Sequence, residues 1–207
     1  MMRYMLFLVV LAALGCASKP AAEEGVAPEP LPLPTMLLAG RRVALFPVTL
    51  MVAEERLGWR DQLTPRADAL AQADSIIATF LTERAPDIEW VLPEALRRAA
   101  AQAPRLLPNP DHMGTAVLRA NGLERIPDPL RSDLRNLTAI AGDRYAAIPV
   151  SLLWVRTPEG GGRAELTLVV ADVRFGMVRF RTIASGEGDD PWSALWTALA
   201  TLVPDLP

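Results

Sequence analysis

Apolar positions change their spacing along the chain, and the changes predict strands and helices in alternation. Two short apolar runs, at residues 41–48 (RRVALFPV) and 88–92 (IEWVL), are typical of buried strands. Between them, helical spacing predicts a helix with one apolar face, with Thr64 at the cap and Pro65 in the first turn. That face consists of Leu70, Ala73, Ile77, Phe80 and Leu81. Residues 49–63, before the helix, are predicted as a loop.

The middle of the chain predicts two more helices separated by an irregular segment. Pro93 opens a short Ala-rich helix. Residues 104–129 contain five prolines, at positions 104, 108, 110, 127 and 129, and are predicted as irregular, with a helical turn or two. The next helix runs from Asp128, by the same cap logic, to Gly142, which is a natural stop.

The last third of the chain predicts three consecutive strands and a final helix. The strands lie at residues 145–156, 164–172 and 178–184, with Gly176 in the last turn and Asp190 capping the helix. The order β-α-β-α-α-β-β-β-α predicts an α/β (α+β) fold, with a single mixed β-sheet and helices packed on it. Residues 41–207 are expected to form one domain.

The first residues have the pattern of a secretory signal. Arg3 precedes an apolar run from Met5 to Leu14, about half the length that spans a bilayer as a helix. The run ends in Ala13-Leu14-Gly15-Cys16, and Cys16 is the only cysteine of the chain. We therefore assign residues 1–15 to a signal peptide.

The ALGC stretch resembles the bacterial lipobox, with its first two residues in the reverse of the usual order. The resemblance implies cleavage before Cys16 and a diacylglyceryl group on its thiol, with acyl chains (palmitate among them) as the membrane anchor. Ala17, in place of an Asp, implies sorting to the outer membrane, facing the periplasm. The alternative is an ordinary secretory signal that leaves Cys16 as a passenger.

Residues 16–40 are rich in Pro, Ala and Glu and show no period, so we predict an extended tether behind the acylated Cys16. A partner-binding peptide at Pro28 to Pro34 is the alternative.

Composition excludes other classes of function. The net charge of −3, from 21 basic and 24 acidic residues, argues against nucleic-acid binding. One cysteine and one histidine allow neither an intramolecular disulfide nor a His/Cys metal cluster, and no cofactor motif is present.

Catalytic patterns are weak. His112 follows Asp111 and could serve a hydrolase, but no GxSxG motif accompanies it, so a solvated loop histidine is favoured. The paired acids at 54–55 and 189–190 invite a glycosidase or cation-site interpretation, yet both lie beside predicted loops. Gly160–162 lacks the Lys and Ser/Thr of a phosphate loop. We expect no enzyme.

Tryptophans offer two kinds of contact. Trp154, Trp192 and Trp196 could line a sugar groove, but they share faces with Leu and Val, which favours core packing. Trp59 lies between Arg56 and Arg60 in a polar loop, the composition of an interaction hot spot. Partner contact there is weighed against packing of the loop onto the body.

The phrases RRVALFPV, GDRYAAIPVSL and ADVRFGMVRFRTIASGEG, in this element order, resemble a group of bacterial envelope lipoproteins. It comprises the periplasmic domain of curli secretion channels, exopolysaccharide-secretion lipoproteins and activators of penicillin-binding proteins, over residues 41–203. The resemblance implies an accessory or scaffold that works through protein contacts, often as an oligomer, with no catalytic residues. Segment 104–129 is longer than in that group, and no pore-forming hairpins are found. The alternative is a module that binds envelope polysaccharide or peptidoglycan through residues 50–63 and 104–129.

Overall fold

The computed structural model describes residues 31–203 and consists of one mixed sheet with helices on both faces. The strands are β1 (Arg42–Leu45), β2 (Met51–Ala53), β3 (Glu89–Val91), β4 (Tyr145–Arg156), β5 (Gly162–Asp172) and β6 (Met177–Gly188). The helices are α1 (Thr35–Leu38), α2 (Arg66–Arg84), α3 (Pro93–Gln102), α4 (Leu130–Ala141) and α5 (Pro191–Leu202). The α/β class and the single mixed sheet predicted from the pattern are confirmed.

The sheet runs in the order β3-β1-β4-β5-β6. β1 pairs in parallel with β3 and β4, whereas β4, β5 and β6 form an antiparallel meander. β2 also pairs in parallel with β4, beyond the end of β1, at Leu152 to Trp154. Residues 49–63 are therefore not only a loop, as predicted, because they contain β2 and two 3₁₀ turns, Glu55–Leu57 and Arg60–Leu63.

Two apolar clusters cover the two faces of the sheet. On one face α2 and α5 pack against alternate residues of β4 and β5, among them Leu152, Trp154 and Leu168. On the other face α3, α4 and the segment between them pack against Ile148 and Val169. Because both faces are covered, the centre of the sheet is a continuous apolar run rather than an alternating one.

Helix starts differ from one another in their caps. Asp190 accepts hydrogen bonds from the backbone N–H groups of Trp192 and Ser193 and forms a capping box, as its position predicts. Thr64 does not cap α2, because its hydroxyl donates instead to the carbonyl of Arg60. Asp128 likewise accepts from the Ser132 hydroxyl rather than from the backbone at the start of α4.

The packed body begins before residue 41. Leu33 and Leu38 are 4% and 2% exposed and belong to the α2/α5 cluster. The backbone N–H of Leu33 donates to the carbonyl of Leu202 at 2.7 Å, and that of Gly40 donates to the carbonyl of Asp87 at 2.7 Å. The part of the predicted tether from Leu33 onward is thus fixed to the ends of α5 and β3.

Candidate functional site

The predicted anchor residue, Cys16, lies outside the described residues, and so do the predicted signal peptide and the predicted tether up to residue 30. Within residues 31–203, no helix is both long and apolar enough to cross a bilayer. The same residues contain no group of three or more His, Cys, Asp or Glu side chains able to hold a metal ion.

The indole of Trp59 is buried rather than exposed, with 8% of the residue accessible. Its six-membered ring lies against Gly162, where an added Cβ would be 2.1 Å from the nearest ring atom. Of the two alternatives weighed for Trp59, the loop packs onto the body through the indole, because the glycine at the start of β5 leaves room for the ring. Arg56 and Arg60, on the flanking 3₁₀ turns, are exposed. Partner contact at this loop stays a prediction, with the two arginines as its accessible part.

His112 is exposed, and its surroundings do not form a catalytic pair. Its ring Nδ1 lies 3.1 Å from the side-chain nitrogen of Asn109. The neighbouring carboxylate, Asp111, is instead bound by the guanidinium of Arg97 through three contacts of 2.7–3.1 Å. Because the Asp111 carboxylate accepts hydrogen bonds from Arg97, it does not orient the imidazole of His112.

Arg97 also binds Asp74, whose side chain is 6% exposed and accepts a hydrogen bond from the backbone N–H of Val48 at 2.7 Å. Burial raises the pKa of Asp74, although the hydrogen bonds from Val48 and Arg97 oppose it. This network joins α2, α3 and the irregular segment around Asp111. We interpret its role as structural, because it holds these three parts of the fold together.

The tryptophans predicted to be core residues divide into two groups. Trp154 is 1% exposed, and its indole N–H donates to the carbonyl of Pro191 at 2.9 Å, next to the edge of Trp192. Trp196 is 41% exposed and meets the edge of Phe80, with 5.1 Å between ring centres. Trp154 thus packs in the core, whereas Trp196 keeps one side accessible.

An exposed arginine cluster surrounds the turn between β5 and β6. We call it the hairpin-tip surface and define it by Arg144, Asp172, Arg174, Phe175 and Arg179. The turn forms because Gly176 adopts a positive φ of 65°, and Phe175, just before it, is half-exposed. The antiparallel pairing of Tyr145 with Asp172 brings the start of β4, and with it Arg144, to the same place.

Phe175 is 50% exposed, and two guanidinium groups lie over its ring. The guanidinium carbon of Arg144 is 5.2 Å from its ring centre and that of Arg174 is 5.9 Å away. Arg144 is also 5.3 Å from the ring centre of Tyr145. Contacts of this kind hold an aromatic ring and its arginines in a fixed arrangement at the surface.

One carboxylate organises the cluster. Asp172 is fully buried and accepts hydrogen bonds from Arg144 at 2.7 Å and 3.1 Å and from Arg179 at 3.4 Å. Burial alone would raise the pKa of Asp172, but the bonds from Arg144 and from the backbone N–H of Phe175 outweigh it and lower the pKa. Two guanidinium groups therefore bind one carboxylate. Arg174 adds a third positive charge beside the ring of Phe175, so the hairpin-tip surface is positive on an acidic protein.

Sequence reasoning missed this surface. The stretch DVRFGMVRFR was interpreted only as a turn followed by an alternating strand. The alternation of Arg with Phe around a glycine was the available signal, yet the contribution of Arg144 depends on strand register.

Comparison with known proteins shows only distant likeness. No protein-family model matches the chain, and no curated protein matches it. The LpoB C-terminal domain from Salmonella enterica aligns with 14% identity over 80% of this chain and 87% of that one, with a TM-score of 0.40. The PelC dodecamer from Paraburkholderia phytofirmans aligns with 16% identity over 84% and 94%, with a TM-score of 0.37. The LpoB C-terminal domain from Escherichia coli aligns with 14% identity over 72% and 83%, with a TM-score of 0.40.

Proposed function

We propose that this chain is a membrane-anchored accessory or scaffold protein of the bacterial cell envelope, which acts by binding another protein and not by catalysis. The observation that carries the proposal is the hairpin-tip surface, where the guanidinium groups of Arg144 and Arg174 lie over the ring of a half-exposed Phe175. Aromatic and arginine side chains dominate the binding energy of protein interfaces when they lie together.

The charge of the surface selects the partner. Arg174 is exposed beside the ring, while Arg144 and Arg179 are already turned toward Asp172. A partner with carboxylates around an apolar pocket would place the pocket on Phe175 and a carboxylate near Arg174. We therefore propose an acidic protein surface as the partner.

The membrane anchor is supported by the sequence around Cys16. A cysteine that follows an apolar run and a glycine resembles the lipobox, in which the cysteine thiol accepts the diacylglyceryl group. Acylation at Cys16 would place the body at the envelope, and Ala17 favours the outer membrane, facing the periplasm.

Binding of an envelope polysaccharide is a second candidate. The two segments on which it depends meet in a cleft of about 270 Å³, lined by Thr49, His112 and Arg119 among others. The hydroxyls of Thr49 and Thr115 are 2.9 Å apart there. A cleft of this size accepts little more than one sugar ring, so we rank it below protein binding.

Two measurements test the proposal. The intact mass of the mature protein extracted from membranes, beside a Cys16→Ala variant, reports the anchor. We expect a chain that begins at Cys16 and carries diacylglyceryl mass, absent from the variant. An unlipidated chain would contradict the anchor.

Photo-cross-linking in cells tests the contact surface. A photoreactive phenylalanine analogue at position 175 should give one discrete adduct, which Arg174→Glu should abolish by repelling carboxylates. The matched control is the same analogue at Leu106, another exposed apolar residue (78%) away from the hairpin. Equal adducts at both positions, or none at 175, would contradict protein binding there.

A further inference from the structure

Three apolar side chains stand out from the body close to where the described chain begins. Leu31, Met36 and Leu37 are 61%, 92% and 74% exposed, and we call them the apolar corner. Single exposed apolar residues are common on protein surfaces, but three within seven residues form a local concentration.

The apolar corner lies on a rigid part of the fold. Leu33 and Leu38, between and beside its members, are buried in the core. The bonds from Leu33 to Leu202 and from Gly40 to Asp87 hold both ends of α1. Because Leu38 faces inward on this single turn, Met36 and Leu37 are directed outward. Their exposure is thus a consequence of packing.

Beside the apolar corner lies a mainly apolar groove of about 760 Å³. It is lined by Leu33, Pro34, Met36, Ile88 and Val203, among others. Its charged residues have both signs, since Glu83, Arg84 and Asp87 line it. Charges of both signs around the groove do not favour a partner that is recognised by its net charge. They are compatible with an apolar environment such as the interior of a lipid bilayer.

The number of residues between Cys16 and the apolar corner indicates that this environment is the bilayer. Cys16 and Leu31 are 15 residues apart, so a fully extended chain of this length spans at most about 50 Å. A body held at Cys16 therefore keeps the apolar corner close to the bilayer at all times, which gives even a weak contact a high effective concentration.

We propose that the apolar corner is a membrane-contact surface, whose side chains enter the boundary between headgroups and acyl chains of the bilayer that holds Cys16. The inference rests on the proposed lipid anchor. Side chains of this kind are buried by about 5–10 Å at that boundary. Contact would fix the orientation of the body, because one defined end of the sheet would face the lipid.

The test uses the lipidated full chain in vesicles of neutral phosphatidylcholine. Met36→Cys provides a thiol for an environment-sensitive fluorophore, since Cys16 is acylated and no other cysteine exists. Lipids with a quencher on the acyl chain report immersion. Leu106→Cys, 78% exposed, is the matched control. We expect quenching at position 36, in low and high salt alike, and none at 106.

A second variant guards against insertion by the dye itself. Leu37→Ser should lower the ratio of immersed to free label at position 36 about tenfold, because burial of one leucine side chain contributes about that factor to the equilibrium constant. The melting temperature should not change, since Leu37 is 74% exposed. Unquenched labels on a lipidated chain, or equal quenching at 36 and 106, would overturn the membrane contact alone. So would insensitivity to Leu37→Ser.

Two other outcomes are also decisive. Contact that needs anionic lipid and disappears in salt would assign the bilayer contact to the arginines of the hairpin-tip surface and overturn the proposal. An intact mass without lipid on Cys16 would remove the proposed anchor, and the inference would fall with it.

Discussion

Replacement of Gly186 by alanine tests how closely α5 lies on the edge strand β6. A Cβ at this position would lie 2.1 Å from the backbone nitrogen of Ala198 and 2.4 Å from the backbone carbon of Thr197. These neighbours belong to the helix backbone and cannot rotate away as a flexible side chain can. The helix itself would have to move.

The size of the effect follows from that geometry. Ordinary carbon contact begins near 3.4 Å, so α5 would have to retreat by about 1.3 Å. α5 buries Leu195, Leu199 and Leu202 in the core, and retreat would loosen all three. Overpacking costs about 1–3 kcal/mol, and we expect the upper end or complete loss of folding. For a domain of this size, 3 kcal/mol lowers the melting temperature by about 6–12 °C.

Thermal and urea unfolding followed by circular dichroism measure the loss. Gly114→Ala is the control, because nothing lies within 4 Å of its added Cβ and its φ is −75°. That variant should match the wild type or gain up to about 1 kcal/mol, since alanine restricts the unfolded chain. A Gly186→Ala protein within about 0.5 kcal/mol of the wild type, at an unchanged m-value, would refute the close approach of α5 to β6.

Three further variants probe other parts of the structure. Arg97→Met should cost about 3–5 kcal/mol in urea unfolding because it leaves Asp74 buried without its cation, and a cost below 1 kcal/mol would show that Asp74 is neutral without it. Burial raises the pKa of Asp143 to about 6. Between about pH 4 and pH 6 the carboxyl is therefore protonated in the folded state and ionised in the unfolded state. Stability should therefore fall over that interval by at most about 3 kcal/mol and stay lower above it, and Asp143→Asn should remove this part of a urea-midpoint pH profile; an unchanged slope would contradict it. Trp59→Ala should cost about 3 kcal/mol because the indole is buried, while Arg60→Ala should leave the melting temperature within 1–2 °C or so; equal effects would contradict the packing on β5.

Long apolar runs were the most predictable part of the fold. β4 was predicted at residues 145–156 and lies at Tyr145–Arg156, because a run of that length leaves no competing interpretation. β2 was missed because three residues carry almost no periodic signal, and it exists only through pairing with β4. α1 was missed because its surroundings are rich in proline, whereas burial of Leu33 and Leu38 against α5 and α2 decides its position.

The candidate site was less predictable because its residues meet only in three dimensions. Trp59 is buried because its ring packs against Gly162, which lies 103 positions later in the chain. No local sequence pattern reveals such a contact. Arg144 and Arg174 meet at Phe175 because of the register between β4 and β5. The alternation of apolar and polar residues in DVRFGMVRFR predicted a strand with one face in water, and the turn before that strand carries the surface that we propose as a contact site.

The register of the sheet places the hairpin-tip surface at the same end as the start of β1, the strand that follows α1. Val43, near the start of β1, pairs with Tyr145, and Tyr145 pairs with Asp172. With about 4.8 Å between neighbouring strands, the hairpin-tip surface lies roughly 10 Å along the sheet from the strand that α1 leads into. If the apolar corner rests on the bilayer, a protein bound at Phe175 must also approach the headgroups. A partner held in the same membrane meets this condition, so the two proposed surfaces together favour such a partner.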